Sequence, residues 1–119
     1  MRDLKKIFIL DDEEEILELL ARILGNQYTV FTKSNTEGIE KDLLEFKPDV
    51  IMIDHFMGDT TSKEVLSQAL STFPDVPVIL HSAHEDIEKL SLETKVAGFI
   101  RKPSGIREIR EKVAEVLDK

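Results

Sequence analysis

Residues 9–15 read ILDDEEE, two aliphatic side chains followed by five consecutive carboxylates. The apolar run they close is too short for a helix and reads as a strand over residues 5–10, buried on both faces. Ending a buried strand on the most self-repelling stretch of the chain needs a physical reason, and that reason is sought in what else reaches the same edge. Runs of the same kind recur at 29–32, 50–54, 78–82 and 98–101. Between them lie stripes of helical period. Ile16, Leu20, Ile23 and Leu24 form one that stops at Gly25; Ile39, Leu43 and Phe46 form a second; Val65, Leu66, Ala69, Leu70 and Phe73 a third. Ile109, Val113, Val116 and Leu117 give the last helix its core-facing side, and residues 85–96 carry the weakest helical pattern. Strand and helix alternate five times, which predicts a single doubly wound α/β domain over residues 1–119. Its parallel five-stranded sheet is expected in the order 2-1-3-4-5, with helices on both faces.

Composition narrows the function. With 16 Lys and Arg against 24 Asp and Glu the net charge is −8, which repels nucleic-acid backbones, and the basic residues near the C-terminus are interleaved with acids. Direct nucleic-acid binding is therefore not expected. No apolar run approaches the length of about 18 residues that spans a bilayer, and the opening MRDLKKIFIL lacks the shape of a signal peptide, so a cytoplasmic protein is expected. The absence of cysteine excludes disulfides and thiolate chemistry.

In the order 2-1-3-4-5, strands 1 and 3 are neighbours at the switch point, where ligands of such sheets bind. Strand 1 delivers Asp11 and Asp12 there, and strand 3 delivers Asp54. Three carboxylates in one crevice raise one another's pKa unless a cation neutralises them. A hard divalent ion such as Mg²⁺ is one candidate; the ammonium of Lys102, at the end of strand 5 and able to pair with Asp54, is another. Strand 4 adds the Ser82 hydroxyl. A carboxylate nucleophile, a metal site, a hydroxyl and a fixed positive charge are the parts of phosphoryl transfer, with Asp54 as acceptor. Glu13, Glu14 and Glu15 suit the positive end of the following helix. Taken singly, the acids are helix caps or turn residues, Ser82 a cap, and Lys102 a surface residue. The conjunction at four strand ends favours chemistry.

These residues resemble the receiver domain of two-component response regulators over essentially the whole chain. The family's acid pair, acceptor Asp, Ser/Thr and Lys-Pro match Asp11 with Asp12, Asp54, Ser82, and Lys102 with Pro103. The resemblance implies a flavodoxin-like fold and Mg²⁺ held by Asp12, Asp54 and the Phe56 backbone carbonyl, with Asp11 acting mainly through water. Phe99 matches the family's aromatic switch residue, acting with Ser82 to remodel the surface of the fourth helix, fifth strand and fifth helix. The implied activity is that of a signalling domain which catalyses its own phosphorylation and dephosphorylation. Its implied partners are a histidine kinase or histidine phosphotransfer protein upstream, and an effector protein or a missing output domain downstream, with a phosphorylation-dependent dimer as a further form.

The stretch DHFMGDTTS departs from the family pattern. Gly58 stands where Pro is usual and Ser62 where Gly is, which predicts a less restrained loop. Phe56 and His84 flank the site, two residues beyond the acceptor and the hydroxyl. His81 reads as a packed histidine, and the spacing of His55, His81 and His84 does not suit zinc. Two rival readings are a receiver-like interaction module independent of phosphorylation, and a haloacid-dehalogenase-like phosphatase. The first does not need the acceptor set, which is complete here. The second expects D-x-D after the first strand, where this chain has adjacent acids followed by Glu13.

Overall fold

The computed structural model describes residues 4–54, 56–57, 60–61, 71, 73–82, 96–102 and 105–118. Four strongly apolar residues precede the acids of the opening stretch, and they build β1 (Lys6–Leu10), followed by α1 (Glu14–Leu24), β2 (Thr29–Lys33), α2 (Ile39–Phe46) and β3 (Val50–Asp54). Two short strands, β4 (Phe56–Met57) and β5 (Thr60–Thr61), then precede β6 (Val78–Ser82), β7 (Gly98–Arg101) and the last helix, α3 (Ile106–Leu117). The main sheet is parallel and runs β2-β1-β3-β6-β7, the expected 2-1-3-4-5.

Side chains alternate across this sheet, so the continuous apolar strands feed two cores. Phe8, Leu10, Ile51, Ile53 and Leu80 pack on the face covered by α2, with Ile39 and Leu43. Ile7, Ile9, Met52, Ile79 and Ile100 pack on the other, beneath α1 and α3. Each fully buried aliphatic or aromatic side chain contributes about 1.5–3 kcal/mol. On the first face Phe8 stacks on Phe31 with ring centroids 5.1 Å apart, and Phe46 closes the group at 5.3 Å from Phe31, which ties β1, β2 and α2 together. Helix α2 ends at Lys47 in the left-handed region (φ 53°), and Pro48 prevents its continuation.

The structure refines the expected stripes. On α1 it is Leu17 that is buried with Leu20, Ile23 and Leu24, while Ile16 packs only partly. On α3, Ile109, Val113 and Val116 are buried and Leu117 is at the margin. The segment after Asp54 is not simply a loop. Phe56 pairs with Thr61 and Met57 with Thr60 in an antiparallel hairpin. Gly58-Asp59 lies between them in sequence, and Gly followed by Asp is among the dipeptides that close two-residue hairpins. Val65, Leu66, Ala69 and Leu70 of the third stripe, the weak pattern at 85–95, and His55, Gly58, Ser62, His84 and Pro103 lie outside the described residues. No described helix is long and apolar enough to cross a membrane.

Candidate functional site

Parallel register brings the ends of β1, β3, β6 and β7 to one edge. Leu10 pairs with Ile53, Asp54 with His81, and Ser82 with Arg101, so Asp11, Asp54, Ser82 and Lys102 follow one another across the sheet. Backbone bonds fix the roots of these side chains: the Asp11 N–H donates to the Lys33 carbonyl (3.2 Å) and the Lys102 N–H to the Ser82 carbonyl (2.9 Å).

Asp11 is 1% exposed and both its oxygens are engaged. Oδ1 accepts the Glu13 N–H at 2.9 Å, and Oδ2 accepts the Lys102 ammonium at 2.8 Å. One Asp11 oxygen thus serves the backbone at the start of α1 and the other the lysine. Asp54 is 6% exposed and Asp12 is exposed. Ligand oxygens from Asp11, Asp12 and Asp54 all lie within 4.8 Å of one another, close enough to hold one metal ion. Lys102, read as able to pair with Asp54, does so at 3.6 Å from Asp54 Oδ1, and its Nζ stands closer still to Asp11 at 2.8 Å.

The electrostatics follow from burial and crowding. Burial, then the charge of Asp11, push Asp54 up to about 7 against the pull of Lys102, and Asp12 adds to the rise by charge and by a side-chain hydrogen bond. Burial of Lys102 disfavours its charge. The hydrogen bond to Asp11 and the charges of Asp54, Asp11 and Glu13 outweigh that, and its pKa is raised. His81, buried beneath the edge as a packed residue, is pushed down to about 4 by burial, then by Lys102, against an opposing pull from Asp11. One lysine therefore only partly offsets the acids. Hard oxygen donors carrying excess negative charge fit a Mg²⁺-like ion, which binds through one or two carboxylates and keeps several waters. Asp12 and Asp54 suit direct ligation, since both Asp11 oxygens already have partners. The Phe56 backbone lies in β4, two residues beyond Asp54.

Glu13 is a participant that the sequence reading assigned only to the helix end. It is the N-cap of α1 without a side-chain capping bond, and its carboxylate stands 3.6 Å from Lys102 Nζ. The available signal was its place directly after Asp12. Phe99 pairs with Leu80 in register and packs against the core on the α2 side, the sheet face it shares with Ser82.

Fold and edge together define a doubly wound α/β domain built around an acidic crevice that a single lysine spans. Residues 7–114 match the model of the response regulator receiver domain. Over 116 residues, 95% of this chain and 48% of the relative, the chain is 33% identical to the alkaline phosphatase synthesis transcriptional regulatory protein PhoP of Bacillus subtilis (strain 168). It is 30% identical over 118 residues, 95% of this chain and 52% of the relative, to the phosphate regulon transcriptional regulatory protein PhoB of Pseudomonas aeruginosa. The crystal structure of a CheY-like response regulator receiver domain protein from Methanospirillum hungatei JF-1 superposes with a TM-score of 0.87 at 30% identity, covering 98% of this chain and 95% of that one. The chain belongs to the response regulator receiver domain family. It spans about half the length of the first two curated relatives it matches, 48% and 50%.

Proposed function

We propose that this domain takes a phosphoryl group onto Asp54 from a histidine kinase or histidine phosphotransfer protein, and passes the signal to an effector protein or to an output domain of a longer chain. The observation that carries the reading is the place of the Asp54 carboxylate, with ligand oxygens of two further acids within 4.8 Å and the Lys102 ammonium 3.6 Å away. An Asp54 oxygen attacks the phosphorus as the donor's P–N bond breaks; the electron pair leaves on the imidazole nitrogen, which takes a proton from solvent. A Mg²⁺ bound by Asp12, Asp54 and the Phe56 carbonyl, with Asp11 through water, would neutralise charge on the phosphoryl oxygens. Lys102 is held within reach of another of those oxygens, and the Ser82 hydroxyl, on the neighbouring strand, is assigned to a third. The engagement of Ser82 vacates room toward Phe99, whose turn inward remodels the surface of β7, α3 and the segment before β7. The cytoplasm is the compartment such a relay requires.

Incubation with a small phosphodonor and Mg²⁺, followed by intact mass, tests the reading. One added phosphoryl group per chain, lost in Asp54→Asn, is expected. Equal labelling of the variant would move the acceptor elsewhere, and turnover of many donor equivalents would indicate a phosphatase instead.

A further inference from the structure

We propose that Glu13 is a positioning residue that holds the Lys102 ammonium on the acid-pair side of the crevice until a phosphoryl oxygen on Asp54 draws it across. The inference rests on Asp54 being the phosphoacceptor and goes beyond it, because Glu13 is neither a metal-site acid nor the acceptor.

Lys102 is rooted by its backbone bond to Ser82, so only its side chain can swing. Its Nζ lies 2.8 Å from Asp11 and at the same distance, 3.6 Å, from Glu13 and from Asp54. The ammonium thus stands at a branch point, anchored on one acid and shared between two others. Asp11 cannot follow it, since its second oxygen holds the Glu13 N–H. Glu13 is equally well rooted: its carbonyl accepts the N–H groups of Ile16 and Leu17, both at 3.1 Å. Its side chain has no capping bond to make and is 61% exposed, against 1% for Asp11 and 8% for Asp54. Of the three partners Glu13 is therefore the one whose hold is weak enough to be exchanged, because an exposed ion pair is screened by water. Among the described residues, Glu14 and Glu15 make no ion pair with Lys102, although they follow Glu13 directly.

The role predicts that removing the Glu13 charge favours the state in which Lys102 serves a phosphoryl group. In metal-free protein, Glu13→Gln should shift the Lys102 Nζ resonance, and Glu14→Gln, an equal change of net charge one residue away, should not. With Mg²⁺ present, Glu13→Gln should bind beryllofluoride, a phosphoryl mimic, about twofold to fivefold more tightly, the range of an exposed ion pair. The gain should vanish in a Lys102→Met background, which separates positioning of the lysine from general relief of negative charge. The same gain in Glu14→Gln, or its persistence without Lys102, overturns the proposal, as does an unmoved Lys102 resonance. If wild-type protein fails to bind beryllofluoride while the resonance still moves, the phosphoacceptor reading falls and the exchange onto a phosphoryl oxygen falls with it, leaving only the static Glu13–Lys102 contact.

Discussion

Replacing Asp54 by Asn should make the metal-free protein more stable, by an amount that grows with pH. The Asp54 carboxyl is raised from 3.8 to about 7 by burial and by Asp11, so between those values the native state keeps a proton that the unfolded chain has released. Stability therefore falls as pH rises through this window, and the whole penalty is present above pH 7. At 1.36 kcal/mol per pH unit the interval from 3.8 to about 7 corresponds to about 4 kcal/mol, an upper bound. Asn has the same shape and no charge, so the variant should exceed wild type by about 1.5 kcal/mol at pH 5 and about 4 kcal/mol at pH 8. His81 acts in the opposite sense. Lowered from 6.5 to about 4, it stays neutral in the native state while the unfolded chain takes up a proton, so stability is lost as pH falls through that range, by about 3 kcal/mol. The two slopes oppose each other between about pH 4 and 6.5, and Asp54→Asn exposes the slope of His81. Urea unfolding in chelator at several pH values, comparing variant with wild type at each, removes the contribution of the remaining carboxylates. An Asp54→Asn advantage of the same size at pH 5 and pH 8 would refute the charge argument.

Mg²⁺ at about 100 times its dissociation constant should stabilise the protein by about 2.7 kcal/mol, a rise in Tm on the order of 10 °C by differential scanning fluorimetry. Asp12→Ala should lose that response yet melt higher than wild type without metal, because Asp12 is one of the charges that burden Asp54; no change in Tm across millimolar Mg²⁺ would remove the metal site. Hydrogen exchange with and without beryllofluoride should change most between residues 82 and 110, and a response confined to Asp11, Asp12 and the segment after Asp54 would discard the switch through Ser82 and Phe99. Phe56→Asn should lose its phosphoryl group several-fold faster than wild type, the outcome that follows from the sequence-based proposal that bulk two residues beyond the acceptor keeps out the attacking water. His84→Ala measured beside it reports any opposing contribution of an imidazole that orients water; an equal or slower rate in Phe56→Asn would end the shielding argument.

The strands were legible because a strand buried on both faces is apolar along most of its length, with polar residues confined here to the carboxyl ends. VIMID and VILHS leave little room for another reading, and both are buried throughout. The helix stripes were less certain, since Ile16 and Leu17 are adjacent and only contact with the sheet decides that Leu17 turns inward. Strand order placed the acids, the hydroxyl and the lysine on one edge and offered Asp54 as a partner of Lys102, but it did not reveal that Asp11 stands closer. A lysine side chain is long enough to cross the neighbouring strands, and the buried Asp11 outcompetes Asp54 for it. The β4–β5 pairing has a counterpart in the sequence, where Gly-Asp, a dipeptide common between paired strands, precedes two threonines. Glu13 was hidden by its neighbours, because a run of acids at a helix start already has a sufficient explanation in the helix dipole.

Lys102 follows the edge strand β7, and its ammonium ends on the acid after β1, with β6 and β3 in between. It works as a clasp laid across the open rim of the sheet, binding the outermost strand to β1, three strands away, without a backbone bond. A group that draws the ammonium toward Asp54 moves the clasp one strand closer to home and loosens its grip on β1. On the proposed reading, arrival of a phosphoryl group would register mechanically as well as chemically, as a change in which strands Lys102 joins at the top of the sheet.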